Sequence, residues 1–270
     1  MSGTVRIVGI LNVTPDSYYD GGKFDRLDAA LAQADRMLDE GADVLEAGGE
    51  STGPGSASVS AEEELARVLP VVRALCERHP GVPLAVDTYK AAVAEASLAA
   101  GATMINDVTA GREDPALFGV VAAAKASLVL MYAKDPTPRT TRDVVPYGDV
   151  AATVAGFLRE RAEAARAAGV DAARIVVDPG MGHFVSGDPA ESFRLLSRLP
   201  EIAALGYPVL VSPSRKSLLA GRENLPPADR LPGTIAASAV AVLHGASYIR
   251  THDVLEVRRA CEIALAIRDA

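Results

Sequence analysis

The chain has 270 residues, 49% hydrophobic and 23% charged, a composition that excludes intrinsic disorder, a collagen-like repeat and a disulfide-stabilised scaffold. Lys and Arg number 27 against 35 Asp and Glu, so the net charge of −8 offers no general attraction for nucleic acid or for an anionic membrane. No stretch approaches the roughly 20 apolar residues of a membrane-spanning helix, and both cysteines lie in helical patterns, so we expect a cytoplasmic protein.

Eight short apolar runs alternate with eight longer segments of helical periodicity. The apolar runs hold Val, Ile and Leu at consecutive positions, which is typical of strands that are covered on both faces in a parallel sheet. In chain order, the predicted strands are residues 5–11, 44–47, 83–86, 103–105, 127–131, 174–177, 208–211 and 247–250. The predicted helices, each after the strand of the same rank, are residues 27–40, 61–78, 90–100, 115–124, 148–168, 189–199, 233–244 and 254–268.

Eight strand–helix units in a chain of this length predict an α/β fold, a single (β/α)8 TIM barrel that spans residues 1–270. A doubly wound open sheet is the competing arrangement. In a barrel of this kind the active site lies at the C-terminal ends of the strands. The longest irregular segment, residues 133–147, follows the fifth strand, and a loop of that length is usually functional or mobile.

Polar residues follow nearly every predicted strand. Barrel interiors favour Val, Ile and Leu, and a buried polar group costs free energy unless it is paired, so folding alone does not explain this pattern. Asn12 follows the first strand. The middle strands carry an acceptor set, which consists of Asp87, Asn106 and Asp178, and the last two strands carry a cationic set, which consists of Lys216, Arg250 and His252.

The two sets predict the chemistry of a ligand. The loops after strands seven and eight frequently bind phosphate in this fold, and residues 214–217 open a predicted helical segment whose N–H groups would favour an anion. Two carboxylates and an amide in the acceptor set call for a partner rich in N–H donors. A nucleobase-like heterocycle that carries a phosphate ester fits both ends.

Several motifs resemble those of the dihydropteroate synthases over essentially the whole chain. Residues 9–17, GILNVTPDS, followed by Asp20-Gly21-Gly22, resemble the first signature of that family, and residues 48–55, GGESTGPG, resemble the second. Shorter motifs follow in the order of the family at residues 87–88, 105–108, 130–131, 178–182, 214–217 and 250–254.

The resemblance implies a transferase of folate biosynthesis, which condenses 6-hydroxymethyl-7,8-dihydropterin diphosphate with p-aminobenzoate and releases pyrophosphate. It also implies Mg²⁺ as cofactor and a homodimer. The implied pterin ligands are Asp87, Asn106, Met131, Asp178 and Lys216; Thr52, Arg250 and His252 would hold the diphosphate, Pro54 and Ser217 would border p-aminobenzoate, and Asn12 would bind the magnesium ion. Among these, the implied catalytic residues are Asp87, Asp178, Lys216 and Arg250, because they would balance the charges that separate as diphosphate leaves.

Three positions depart from the family pattern. Gly53 stands where an Arg usually follows Glu-Ser-Thr, the stretch 181–186 lacks the usual Lys and has its Phe offset by one, and Tyr132 stands where His is common. We expect all three around the second substrate and the diphosphate.

These departures keep two other functions open. The chain could be a pterin-binding barrel of another class, either a non-condensing paralogue or a methyltetrahydrofolate-binding domain, and Gly53 favours that alternative. Residues 214–217 and 250–252 favour the synthase, because a diphosphate needs them and a folate carrier does not. A sugar-phosphate barrel enzyme unrelated to pterins would leave the acceptor set unexplained.

Overall fold

The computed structural model describes residues 4–13 and 23–270, with all side chains there except those of residues 23–26. Most of the first signature, residues 14–22, therefore lies outside the described residues. Strands and helices alternate along the described chain. The strands are β1 (Arg6–Asn12), β2 (Val44–Gly48), β3 (Leu84–Asp87), β4 (Met104–Asp107), β5 (Ser127–Met131), β6 (Ile175–Asp178), β7 (Leu210–Val211) and β8 (Tyr248–Thr251).

The helices cover the outside of the sheet. They are α1 (Lys23–Asp39), α2 (Ala61–Arg78), α3 (Ala91–Ala99), α4 (Ala116–Ala124), α5 (Val150–Ala167), α6 (Pro189–Ser197), α7 (Leu199–Ala203), α8 (Leu231–Leu243) and α9 (Val254–Arg268). Among residues 4–13 and 23–270, no helix is both long enough and apolar enough to cross a membrane.

All eight strands are parallel and close into a barrel. The strand order is β6-β5-β4-β3-β2-β1-β8-β7, and the two ends meet where Val177 pairs with Val209. The N–H of Val177 also donates to the carbonyl of Pro208 at 2.9 Å. This closure confirms the (β/α)8 barrel and excludes the doubly wound open sheet.

Strand register divides the inside of the barrel into an apolar floor and a polar mouth. Side chains along a strand alternate between the two faces, so every second residue points inward. On several strands, the inward residue two positions after the floor is polar. On β2 and β3 these residues are Glu46, after Val44, and Asp87, after Ala85. On β4, β6 and β8 they are Asn106, Asp178 and Arg250. The floor is a separate buried cluster of Val8, Val44, Ala85, Met104, Val129, Val176 and Leu210.

The structure differs from the predicted helices at two places. The predicted helix 189–199 ends at Ser197, and a separate short helix, α7, begins at Leu199 with Pro200 in its first turn, where the missing N–H costs no hydrogen bond. The segment 214–217 does not open a helix: Arg215 has a φ of 52°, and only a four-residue 3-10 helix, Ser217–Ala220, follows it. The α-helix expected to begin at 214–217 is therefore not found there, and the anion site at this loop stays a prediction.

Candidate active site

A cavity opens at the C-terminal end of the barrel, where this fold places its active sites. It collects most of the site residues that the sequence predicts, from the C-terminal ends of seven strands, β2 to β8, or the loops that follow them. Asn12, Pro54, Ser217 and His252 do not line it. The lining residues are Thr52, Asp87, Asn106, Val108, Met131, Asp178, Phe184, Ser212, Lys216 and Arg250.

A glutamate that the sequence analysis missed lies at the centre of this mouth. Glu46 is 1% exposed and accepts a hydrogen bond from Arg250 Nε at 2.6 Å and another from Asn106 Nδ2 at 3.1 Å. Arg250 Nη2 reaches Asp87 Oδ2 at 3.2 Å on the other side. The signal for Glu46 was a charged residue inside an apolar run, at a position that the strand register turns inward.

This network leaves two acceptors facing a ligand. Burial and the nearby negative charge of Glu46 raise the pKa of Asp87 above its ordinary value, and Arg250 partly offsets that rise. The amide N–H₂ of Asn106 donates to Glu46, and its Oδ1 is buried with no hydrogen-bond partner among the described residues. A buried unsatisfied acceptor costs about 1–3 kcal/mol, which an N–H donor on a ligand would relieve.

Asp178 and Lys216 form the opposite side of the cavity. Asp178 Oδ1 accepts the N–H of Gly180 at 2.7 Å, and Gly180 is required there because its φ is 70° and a Cβ would lie 2.5 Å from the carbonyl of Tyr132. Burial raises the pKa of Asp178 to about 6, against the opposing effect of Lys216. Burial lowers the pKa of Lys216 to about 8 even though Asp178 favours the ammonium form.

Apolar walls flank these polar groups. Met131, Val108 and Phe184 line the cavity and belong to one apolar cluster together with Tyr89 and Ala133. The Nζ of Lys216 lies 5.3 Å from the centre of the Phe184 ring. A cavity with flat apolar walls and polar groups at its edge fits a planar heterocycle.

His252 lies beside the cavity. Its grouping with Lys216 and Arg250 suggests a protonated, cationic side chain, but the structure indicates a neutral one. Its Nδ1 is 2.9 Å from Ser214 Oγ, and its Nε2 is 3.4 Å from Nδ2 of the exposed Asn12. Burial and the positive charge of Arg250 lower the pKa of His252 to about 4. The imidazole is therefore neutral at pH 7 and offers a ligand hydrogen bonds rather than charge.

The loops beside the cavity hold the residues expected at the second substrate. Ser217 Oγ is 3.0 Å from Nε2 of His183, which directly precedes the cavity-lining Phe184. Pro54 is half-buried on the loop after β2, next to Gly53. A Cβ at Gly53 would meet only Ser51 Oγ, at 3.6 Å, so a larger side chain has room there.

Tyr132 does not belong to this site. Its hydroxyl is 2.9 Å from that of Tyr147, and its ring meets Phe157 edge to face at 5.2 Å in the layer between barrel and helices. The expectation that this departure lies near the second substrate is therefore wrong. The offset Phe184, by contrast, lines the cavity from its shifted position.

Known proteins resemble this chain over nearly its whole length. A family model described as "Pterin binding enzyme" matches residues 8–252. The chain is 39% identical to the dihydropteroate synthase of Bacillus subtilis over 257 residues, 95% of the chain and 86% of that protein. It is also 38% identical to the dihydropteroate synthase of Synechocystis over 262 residues, 97% of the chain and 89% of that protein.

Solved structures agree with the sequence relatives. The dihydropteroate synthase of Xanthomonas albilineans with 4-aminobenzoic acid superposes with a TM-score of 0.89 at 42% identity, and the match covers 100% of this chain and 95% of that one. The chain is also 44% identical to a probable bifunctional folylpolyglutamate synthase/dihydropteroate synthase of Haloferax volcanii over 265 residues, but spans only 30% of the length of that protein.

Proposed function

The chain belongs to the dihydropteroate synthase family, and we propose that the cavity at its barrel mouth is where it condenses 6-hydroxymethyl-7,8-dihydropterin diphosphate with p-aminobenzoate. The observation that carries this proposal is the buried acceptor set beside apolar walls. The unpartnered Oδ1 of Asn106 calls for an N–H donor that none of the described residues supplies.

At the pterin end, Asp87, Asn106 and Asp178 would accept hydrogen bonds from the N–H groups of the ring, while Met131 packs against its face. Lys216 would donate to an acceptor atom of the same ring. Departure of the diphosphate leaves positive charge on the pterin methylene, and the two carboxylates would stabilise that charge in a cavity with little water. Asp87 and Asp178 are thus the proposed catalytic acceptors, with Lys216 and Arg250 as the catalytic cations.

At the diphosphate end, Thr52, Arg250 and His252 would hold the leaving group. Arg250 already pairs with Glu46 and Asp87, so it would be shared between these carboxylates and the diphosphate. His252 would contribute hydrogen bonds from a neutral ring. The positive charge at this end therefore comes mainly from Arg250 and Lys216, within reach of a group that binds at the cavity.

Asn12 fits the role of a magnesium ligand. Mg²⁺ prefers oxygen ligands and is commonly held by one or two protein groups together with substrate phosphates. The described residues contain no group of three or more His, Cys, Asp or Glu that could hold a metal by itself, whereas Asn12 offers an exposed amide next to His252. Bound there with the substrate, the ion would neutralise charge on the departing diphosphate.

The second substrate would bind beside Pro54 and Ser217. An arylamine is neutral at pH 7, so it can attack the methylene without prior removal of a proton. The pairing of Ser217 with His183 supports a polar edge at this position. Because Gly53 stands where the family usually has an Arg, one cation that would attract the carboxylate of p-aminobenzoate is missing. We propose that this lowers the affinity for p-aminobenzoate.

We also propose a cytoplasmic homodimer. Exposed apolar side chains on α8 and α9 support a face that a second copy covers: Val240, Leu243, Ile263 and Ile267 are 36%, 39%, 64% and 63% exposed. Both cysteines are free thiols, which suits a reducing compartment. Light scattering of the purified protein tests the dimer: a mass of twice 28.0 kDa supports it, and a mass of 28.0 kDa contradicts it.

One assay tests the proposed function. The protein is supplied with pterin diphosphate, p-aminobenzoate and Mg²⁺, and pyrophosphate is measured together with 7,8-dihydropteroate. Formation of both products in equal amounts supports the synthase. Binding of pterin diphosphate without either product would identify the non-condensing paralogue, and failure to bind any pterin would contradict both.

A further inference from the structure

A cluster of four charged side chains lies outside the cavity and is not used by the proposed reaction. Glu50 follows β2, Glu64 lies in α2, Lys90 precedes α3, and Arg139 comes from the irregular segment between β5 and α5. Lys90 forms ion pairs with both glutamates, and Arg139 forms one with Glu50. The side chains of Glu50 and Glu64 are only 3% and 1% exposed. We name these four residues the buried charge cluster.

The charges of this cluster balance only when Arg139 is in place. Two carboxylates face two cations, and Lys90 alone would be shared between Glu50 and Glu64. Removal of one partner from a buried ion pair is strongly destabilising, because it leaves an uncompensated charge away from water. The irregular segment therefore gains stability when it lies against the loop after β2, and Arg139 Nη2 adds a hydrogen bond to the carbonyl of Ala57 at 3.1 Å.

Thr140, the residue after Arg139, connects the docked segment to the cavity through two hydrogen bonds. Thr140 is 3% exposed, its N–H donates to the carbonyl of Thr52 at 3.2 Å, and its hydroxyl donates to the carbonyl of His183 at 2.7 Å. Thr52 lines the cavity, and His183 precedes Phe184, which also lines it. One docked segment thus fixes the positions of two cavity walls that come from different loops.

We propose that Arg139 is a positioning residue, which uses its ion pair with Glu50 to hold Thr140 across the mouth and so to place Thr52 and Phe184 for the diphosphate-bearing substrate. The assignment of Thr52 to the diphosphate rests on the proposed function. Nη2 of Arg139 is bound to Glu50 and to the Ala57 carbonyl, so the role proposed for this side chain is to dock the segment rather than to bind the anion.

The test compares Arg139→Gln and Arg139→Lys with a control that breaks an ion pair just beyond the C-terminal end of the same segment, at Asp149. Arg198→Gln is the control, because Arg198 forms ion pairs with Asp149 and Glu201 but touches neither the loop after β2 nor the cavity. Three quantities are measured for each variant: amide hydrogen exchange at Thr140, calorimetric affinities for pterin diphosphate and for the pterin alcohol, and kcat and KM.

In Arg139→Gln we expect exchange at Thr140 to accelerate at least about tenfold, because the docked segment opens locally. A misplaced substrate group can cost up to about 100-fold, so we expect kcat/KM and affinity for pterin diphosphate to fall about 10-fold to 100-fold. Affinity for the pterin alcohol falls by less than affinity for pterin diphosphate in Arg139→Gln, because Phe184 borders the ring of both ligands whereas Thr52 serves only the diphosphate. Arg198→Gln stays within about twofold of wild type throughout. Arg139→Lys restores part of each loss.

Two results would overturn the proposal: wild-type affinity for pterin diphosphate in Arg139→Gln despite rapid exchange at Thr140, or an equal loss in Arg198→Gln. A matching loss of affinity for the pterin alcohol would also contradict it, since a general structural defect affects both ligands. If the wild-type protein released no pyrophosphate, the proposed function would fail, whereas the exchange and binding comparison would still decide the role of Arg139.

Discussion

The inner and outer halves of the candidate site are built in different ways. Strand register places the acceptors of the inner half, since Asp87, Asn106 and Asp178 each occupy the last inward position of a strand. Contacts between loops place the outer half, where Thr52 depends on Thr140 and Ser217 on His183. The inner half is therefore as rigid as the barrel, whereas substitutions far along the chain can displace the outer half.

Electrostatics separates the halves as well. Burial raises the pKa values of Asp87 and Asp178 and lowers that of Lys216, so the inner half holds charges whose ionised forms are disfavoured until a ligand pairs with them. Strongly shifted pKa values of this kind cluster at functional sites. We therefore expect the inner half to govern the chemistry and the recognition of the pterin ring. The outer half should govern affinity for the diphosphate and for p-aminobenzoate.

The largest effect is expected for Asp87→Asn, which keeps the shape of the side chain and removes its charge. Loss of one well-placed electrostatic group typically lowers the rate by about 10²–10³, and steady-state kcat measures it. Asp107→Asn is the control at the end of β4: it also removes one carboxylate charge, but Asp107 is fully buried and accepts hydrogen bonds from Thr109 and Gly111. An Asp87→Asn enzyme within about threefold of wild type would contradict the charge role.

The pH dependence of kcat/KM should show both inner-half charges. Protonation of Asp178 removes the negative charge that stabilises the pterin methylene cation, so activity falls as the pH drops below its pKa of about 6. Lys216 must be protonated to donate, so activity falls as the pH rises above its pKa of about 8. Each limb should reach a tenfold loss per pH unit, and a profile that stays flat from pH 5 to 9 would exclude these two groups.

Glu46→Gln should have an intermediate effect on rate and a characteristic effect on pH dependence. The negative charge of Glu46 raises the pKa values of both Asp87 and Asp178, so its removal should lower both and move the acid limb toward lower pH. We expect kcat/KM to fall about tenfold, because Arg250 and Asn106 lose a charged acceptor. An acid limb that moves upward instead would contradict the assigned coupling.

Gly53→Arg should have the smallest effect and act on the outer half alone. A cation beside a carboxylate at a partly solvated loop contributes on the order of 1 kcal/mol, so KM for p-aminobenzoate should fall severalfold while kcat changes little. The position has room for the side chain, since only Ser51 Oγ lies near the new Cβ. Gly53→Gln is the uncharged control, and an equal drop in KM there would exclude a charge effect.

The sequence alone predicts the inner half well. Apolar runs locate the strands, and the polar residue that ends a run is turned inward by the same alternation, as Asp87 and Asp178 show. The alternation of side chains along β5 also explains why the expected position of Tyr132 is wrong. Met131 pairs with Asp178 and faces the cavity, so the next residue, Tyr132, must face the helices. Glu46 was missed because it lies one inward position below the strand end, inside its run.

The contacts that place the outer half cannot be predicted from apolar runs and side-chain alternation. The ion pair of Arg139 and Glu50 joins residues 89 positions apart, on two loops whose paths no periodicity describes. The sequence predicts the start of a helix at 214–217, but Arg215 adopts a left-handed conformation and its side chain forms an ion pair with Asp253, 38 positions away. Long-range contacts decide both cases.

The most direct test of the two-half account is calorimetry with the bare pterin alcohol and with pterin diphosphate on two variants. Asn106→Ala removes a ring acceptor from the inner half, and Thr52→Val removes a hydroxyl from the outer half. The account predicts that Asn106→Ala weakens both ligands at least about tenfold, whereas Thr52→Val weakens only the diphosphate. Equal losses of both ligands in Thr52→Val, or an unchanged affinity for the alcohol in Asn106→Ala, would contradict it.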